Sequence, residues 1–117
     1  MKRLFLSELS DQHLTWLQKA IEFSNGVKME DWLEDWQGGE LEVFEVINGI
    51  VGLRRTRLGV FVEFLAGSDM RGSARDILAA VKDVAGGEVE AFVTRPGLVR
   101  FYERLGFKSL GTTMRLA

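Results

Sequence analysis

Apolar residues along this chain follow two periodicities, one typical of strands and one typical of helices. The dipeptide Asn48-Gly49 separates two runs of strand character, Leu41 to Ile47 and Ile50 to Leu58. Because Asn-Gly tolerates positive φ at both positions of a two-residue turn, this pattern predicts a β-hairpin. A further apolar run, Val60 to Leu65, follows at once, so we expect three successive antiparallel strands.

Four other segments have the spacing of amphipathic helices. Their apolar positions recur at intervals of three and four residues, which places them on one helical face. Glycine-containing breaks follow these segments, Asn25-Gly26 after the first, and Ser10 precedes the first segment at the position of an N-cap. The predicted stripes are Leu14, Leu17 and Ile21; Met29, Trp32, Leu33 and Trp36; Ile77, Leu78, Val81 and Val84; and Leu98, Phe101, Tyr102 and Leu105.

The remaining apolar segments complete an alternating α/β order. They are Arg3 to Leu6; Val89, Ala91 and Val93, broken by Arg95-Pro96-Gly97; and Lys108 to Leu116, read as one final strand. The order is β-α-α-β-β-β-α-β-α-β, an α/β (α+β) fold with a mixed sheet, in one domain over residues 1–117. A helix between the strands that begin at Val60 and Val89 permits them to run parallel.

Composition narrows the function classes. The chain has no cysteine and a single histidine, His13, so it lacks the ligand set of a structural zinc site and we expect no bound metal. The absence of cysteine fits a reducing compartment, and no apolar run has the length of a signal peptide or a membrane span. We therefore expect a cytoplasmic protein without a membrane partner. We also expect His13 to be an exposed residue in the first turn of a helix.

The charge pattern disfavours nucleic acid as a partner. The formal net charge is −2 at pH 7, whereas a polyanion binder needs a concentrated basic face. The basic cluster is Arg54, Arg55 and Arg57. On a strand Arg55 and Arg57 share one face and Arg54 takes the other, so no single basic stripe results.

The most specific motif lies in the last predicted helix. Residues 98–107 read Leu-Val-Arg-Phe-Tyr-Glu-Arg-Leu-Gly-Phe, which resembles the final helix of the GNAT superfamily of acyl-CoA-dependent N-acyltransferases with its Phe-Tyr-Glu-x-x-Gly-Phe ending. The segment from Asn48 to Gly52 resembles the second hairpin of that family, and the element order matches over nearly the whole chain. The resemblance implies a GNAT-like mixed sheet and transfer of an acetyl or other short acyl group from acetyl-CoA or another acyl-CoA to a primary amine. The acceptor amine is not identified.

A third family landmark, the loop that holds the pyrophosphate of CoA, is degenerate in this chain. In the family it reads Arg/Gln-x-x-Gly-x-Gly/Ala, joins the fourth strand to the next helix, and binds phosphate through backbone N–H groups. The corresponding stretch is Arg71-Gly72-Ser73-Ala74-Arg75-Asp76, where Ala74 replaces a glycine and Asp76 replaces the last small residue and would repel phosphate. The resemblance implies cofactor contacts by Leu65, on the preceding strand, and by Arg71, Gly72, Ser73, Ala74 and Arg75.

Some of these residues have a simpler structural interpretation. Ser73 and Asp76 have the spacing of a capping box, so Ser73 is also a candidate N-cap of the helix that follows. Arg71 and Arg75 are either phosphate contacts or solvated charges. Many family members have Asn seven residues before the tyrosine, where this chain has Arg95.

Two residues are candidates for the chemistry. The resemblance assigns Tyr102, the only tyrosine, as the acid that protonates the departing thiolate; its place on an apolar stripe also fits a core residue. Glu63 is the candidate base, because it is the only charge within its strand. The alternative is a cross-strand ion pair: a tight turn at Leu58-Gly59 would place Arg54 opposite Glu63.

Two functions therefore remain open from the sequence. The first is the N-acyltransferase. The second is a non-catalytic GNAT-like module that binds a partner or serves in a larger assembly such as a viral particle, and the degenerate loop favours it. Trp32 and Trp36 are either core residues or part of an acceptor pocket, and the apolar final strand is compatible with a homodimer.

Overall fold

One mixed sheet organises the part of the chain that the structure, a computed structural model, describes: residues 1–24, 26–92, 96–110 and 113–116. Its strands are β1 (Lys2–Leu4), β2 (Glu42–Val46), β3 (Gly49–Arg55), β4 (Gly59–Gly67), β5 (Glu88–Phe92), β6 (Lys108–Leu110) and β7 (Thr113–Leu116). They lie in the order β1-β2-β3-β4-β5-β7-β6, and their described pairings are antiparallel except for β4 with β5. The helices are α1 (Asp11–Phe23), α2 (Met29–Gly38), α3 (Met70–Ala85) and α4 (Pro96–Arg104), with a 3₁₀ turn at Leu6–Glu8.

The sheet is covered by apolar layers on both faces. Neighbouring residues of β3 alternate between them, with Ile50 in the layer of α1 and α2 and Val51 in the layer of α3 and α4, as the two-residue period of a strand requires. The predicted stripe of α2 is confirmed, because Trp32 and Trp36 are 2% and 6% exposed. The predicted parallel pairing of the fourth and fifth strands is also confirmed. Among the described residues no helix combines the length and apolar character that a membrane span needs.

The predicted hairpin forms, but its turn lies one residue earlier than expected. Val46 pairs with Gly49, so the turn residues are Ile47 and Asn48, and Asn48 takes φ 60°. Gly49 is already part of β3, where a Cβ would collide with the carbonyl oxygen of Ala66 on β4. This glycine is therefore required by close strand packing instead of by the turn.

The final strand predicted over Lys108 to Leu116 is wrong as a single element. Leu110 pairs with Thr113, so the chain reverses between them, and β7 lies between β5 and β6. The first strand also differs, ending at Leu4 instead of Leu6.

Helix α1 begins as predicted, and two residues of its predicted stripe, Leu17 and Ile21, pack in the core. Ser10 is its N-cap, and its side chain accepts a hydrogen bond from the His13 N–H at 3.2 Å. The expectation that His13 is exposed is wrong. His13 is 7% exposed because its Nδ1 accepts from the Ser10 N–H and its Nε2 lies 2.6 Å from Glu45 on β2. Leu14, placed on the predicted stripe, is 46% exposed.

Three predicted features fall at least partly outside the residues that the structure describes. The break at Asn25-Gly26, the last residue of the stripe ending at Val93, and the exchange at Arg95 involve residues that lie outside the described ranges.

Candidate functional site

Strands β4 and β5 pair along only part of β4, and a cavity begins where the pairing stops. The parallel register covers Gly59 to Val62, whereas β4 continues to Gly67 with no described residue of β5 beside it. The cavity has a volume of about 670 Å³ and reaches α1, α2, the start of α3, and α4. This is within the size of ordinary ligand sites, roughly 300–1,000 Å³. Among the sequence candidates Glu63, Leu65, Arg71 and Tyr102 line it.

Glu63 lies at a β-bulge between β3 and β4. Leu53 pairs with Val62 and Gly52 pairs with Phe64, which leaves Glu63 as the extra residue. Trp32 of α2 contacts both residues of the bulge. Its Nε1 donates to Glu63 Oε1 at 3.0 Å, and its ring centre lies 4.6 Å from that of Phe64. The bulge thus directs two consecutive side chains of β4 toward the same helix.

The predicted ion pair between Arg54 and Glu63 is present, although the predicted register is wrong. Arg54 is opposite Phe61 in the sheet, yet its Nε donates to Glu63 Oε2 at 3.1 Å, because Phe61 and Glu63 are two residues apart on β4 and lie on the same face. Arg54 also lies 2.8 Å from Asp35 of α2. Burial alone would lower the pKa of Arg54, but hydrogen bonds to both carboxylates and their charges raise it above its ordinary value.

Glu63 therefore has each carboxylate oxygen already engaged, one by Trp32 and one by Arg54. A carboxylate has about four lone-pair sites, so each oxygen keeps one for a further donor. Its side chain is 17% exposed and lines the cavity, which leaves it accessible to a ligand. The arrangement holds an anion in one orientation and suits contact with an ammonium group or acceptance of a proton from it.

Tyr102 lies on α4 between the cavity and the apolar layer of α3. Its ring meets that of Phe107 edge-on with the centres 5.1 Å apart, and no hydrogen bond joins its hydroxyl to another described residue. Burial raises the pKa of this hydroxyl, so the phenol keeps its proton at neutral pH. That state is the one a proton donor needs, and the packing also fits the core interpretation.

The stretch predicted as a phosphate-binding loop forms the first turns of α3. The helix begins at Met70, and the Ser73 N–H already donates to the Asp69 carbonyl at 3.2 Å. The prediction that Ser73 caps the helix, paired with Asp76, is therefore wrong. Ser73 is 6% exposed, and its Oγ accepts from Asn48 Nδ2 at 3.5 Å. Packing explains the longer helix, because the buried stripe starts a turn earlier than the sequence indicated.

Because α3 begins at Met70, only some of the remaining cofactor candidates have groups that are available to a ligand. The N–H groups without a partner inside α3 are those of Met70, Arg71 and Gly72, since the first turn of a helix leaves its donors unpaired. Arg71 lines the cavity with its guanidinium 5.7 Å from the Phe101 ring centre. The other four candidates on α3 are not among the lining residues. Gly72 is exposed in the first turn, Ser73 and Ala74 are buried, and Arg75 is exposed one turn after Arg71.

Sequence reasoning missed two charged residues of the cavity wall, Lys19 and Asp69. Asp69 stands in the N-cap position of α3, and its place in a Gly-Ser-Asp segment after an apolar strand was the available signal. Trp32 is both a core residue and part of the cavity wall. Within the described ranges no group of three or more His, Asp or Glu side chains is placed to hold a metal ion.

Two solved structures share this fold. One is a Bacillus subtilis acetyltransferase in complex with CoA, with a TM-score of 0.64 and 14% identity, covering 98% of this chain and 97% of that one. The other is the anti-CRISPR protein AcrVA5, with a TM-score of 0.50 and 16% identity, covering 64% of this chain and 96% of that one. No protein-family model and no curated protein sequence matches the chain. The fold is GNAT-like, which confirms the fold prediction made from the final helix and the element order.

Proposed function

We propose that this chain is an acyltransferase that moves an acetyl or other short acyl group from acyl-CoA to a primary amine. The observation that carries the proposal is the cavity beside β4, which brings together Glu63 and Leu65 of β4, Arg71 of α3 and Tyr102 of α4. It occurs in a fold that a CoA-bound acetyltransferase shares. A shared fold alone is an associational argument, so the residues must carry the chemistry.

The wall of the cavity fits the pantetheine arm of such a donor. Beyond Val62 no described strand pairs with β4 on the β5 side, so its backbone can offer N–H and C=O groups to the amides of the arm. Leu65, Ala66 and Phe101 supply apolar surface for the methylene groups. At the start of α3 the unpaired N–H groups and Arg71 suit a phosphate, whereas the carboxylate of Asp69 opposes one.

The two candidate catalytic residues divide the proton transfers between them. The amine nitrogen attacks the thioester carbonyl, a C–N bond forms and the C–S bond breaks. In this proposal Glu63 binds the acceptor and takes the proton that its nitrogen loses, and Tyr102 donates a proton to the departing thiolate. The fixed orientation of Glu63 between Trp32 and Arg54 supports the first role, and the place of Tyr102 in the cavity wall supports the second.

A non-catalytic GNAT-like binding or structural module is the second candidate. Two observations favour it: Arg54 already neutralises Glu63, and Asp69 stands where a phosphate would bind. Under this proposal the cavity is a remnant of the fold, and partner binding occurs elsewhere on the surface.

Titration with acetyl-CoA tests the first proposal. We expect binding with a Kd in the micromolar range or weaker, which is on the order of −8 kcal/mol at best, and a higher melting temperature. Leu65→Trp should narrow the cavity and abolish the binding heat, while Leu58→Trp, at an exposed turn position, should not. No heat and no thermal shift at millimolar acetyl-CoA would leave the second candidate.

A further inference from the structure

Asp69 occupies the helix end that the proposed donor would use. Its backbone is left-handed, with φ 50° and ψ 47°, a strained state for a residue other than glycine. Aspartate at an N-cap ordinarily accepts a hydrogen bond from the first turn, but this side chain makes no such bond. Its carboxylate instead lies over Gly72, where a Cβ would be 2.7 Å from Oδ2. The absence of a side chain at Gly72 is what leaves room for it.

This position sets the charge that a phosphate group would meet. The partial positive charge at the start of α3 and the N–H groups of Met70, Arg71 and Gly72 attract anions. A carboxylate at the same end offsets that attraction and repels a phosphate directly. Asp69 and Arg71 line the cavity together, so the formal charge of the pair is zero. An uncharged pantetheine arm, by contrast, carries no charge for Asp69 to repel.

We propose that Asp69 makes this site select its thioester donor through the pantetheine arm, with the phosphates of CoA contributing little to affinity. The inference rests on the proposed function, because it assumes a pantetheine thioester as the donor. The proposed donors are acyl thioesters of pantetheine, and the affinity of the site for them should depend little on how many phosphate groups they carry.

Affinities of CoA and of pantetheine, measured by calorimetry on the full chain, test this proposal. In the wild type we expect the two affinities to lie within about tenfold. Asp69→Asn removes the charge, keeps the shape and tolerates the left-handed backbone, so it should tighten CoA by about five- to tenfold and leave pantetheine unchanged. Asp69→Gly, which also relieves the backbone strain, should have the same two effects. Agreement between the variants would show that the change in CoA affinity does not come from a fold disturbed by one substitution.

Asp76→Asn is the matched control. It makes the same change of charge at an exposed position two turns into α3, and the helix-end effect fades beyond the first turn, so CoA affinity should change by less than about twofold. Equal tightening by both variants, or tightening of pantetheine as well, would overturn the role given to Asp69. Unchanged CoA affinity in both Asp69 variants would overturn it too, while leaving the acyltransferase intact. Failure of every variant to bind either compound would instead remove the proposed function itself.

Discussion

Two carboxylates line the same cavity and are held in opposite ways. Glu63 stands on a bulge inside the sheet, with Trp32 and Arg54 each bound to one of its oxygens. Asp69 stands at the loop that leads into α3, exposed, with no cap hydrogen bond from its side chain. The first is fixed by two other elements, α2 and β3, whereas the second is positioned by its own backbone and by the bare Cα of Gly72.

The difference indicates what each end of the cavity is able to do. A charge that is oriented by cross-element hydrogen bonds is preorganised, and preorganised groups lower barriers because they need not reorient during reaction. A charge on an exposed loop acts over a distance and is screened, so it tunes affinity by modest factors. We call the part of the cavity around Glu63 the fixed end and the part around Asp69 the open end. Substitutions at the fixed end should therefore change the rate or the stability, and substitutions at the open end should change the affinity for the donor.

The largest effect is expected from Tyr102→Phe, at the packed side of the cavity. The change keeps the ring and its contact with Phe107 and removes only the hydroxyl. If Tyr102 is the proton donor, turnover should fall by about 10²- to 10⁴-fold while donor affinity barely moves. Steady-state kinetics and calorimetry on one preparation measure the two quantities.

The pH dependence of stability provides a check on the same variant. Burial raises the pKa of Tyr102 in the folded chain, so unfolding should become easier as the pH rises above the ordinary tyrosine value of about 10. Tyr102→Phe should lack this alkaline loss. An unchanged rate would make Tyr102 a core residue only, and the free energy of unfolding at neutral pH should then change little, because no described partner is left unpaired when the hydroxyl is removed.

Glu63→Gln should have the next largest effect. It removes the charge and preserves the size of the side chain, so we expect turnover to fall by roughly 10²-fold or more if Glu63 accepts the proton. Asp69→Asn, the same kind of exchange at the open end, should leave turnover at saturating donor unchanged. A Glu63→Gln variant that keeps full turnover but melts earlier would reduce Glu63 to the ion pair with Arg54.

Arg54→Gln probes how the fixed end is held. Loss of the guanidinium leaves Glu63 and Asp35 without their shared partner in a half-buried place, which should lower the free energy of unfolding by about 1–3 kcal/mol. The control is Arg55→Gln, since Arg55 is exposed and its pair with Glu42 should contribute about 1 kcal/mol or less. Urea unfolding of both variants gives the comparison, and equal losses would contradict a special role for the Glu63 cluster.

The smallest effect is expected from Arg71→Gln at the open end. Arg71 lies beside Asp69 at the cavity wall, so its loss should weaken CoA by about three- to fivefold and leave pantetheine unaffected. Arg75→Gln, one turn further on, should change CoA affinity less. Titrations at two salt concentrations should show the Arg71 effect shrinking as ionic strength rises; a weakening of pantetheine would mean that Arg71 acts by packing on Phe101.

The sequence by itself determined the order of helices and strands up to β6, and several of their ends. The spacing of Trp32 and Trp36, the cap at Ser10 and the break at Asn48-Gly49 are local patterns, and each led to the observed helix or hairpin. The final-helix motif and the element order together predicted the GNAT-like fold. The ion pair of Arg54 with Glu63 was also within reach, because neighbouring antiparallel strands bring such residues together.

Tertiary packing decided where strands shift and where helices begin. The bulge at Glu63 is tied to Gly52, whose missing side chain leaves the space that the Phe64 ring occupies, and no pattern within one strand contains that contact. The extra turn of α3 and the burial of His13 against Glu45 likewise depend on elements distant in the chain. Periodicity records which face of an element is apolar, but register, bulges and helix starts follow from the surface that each face meets.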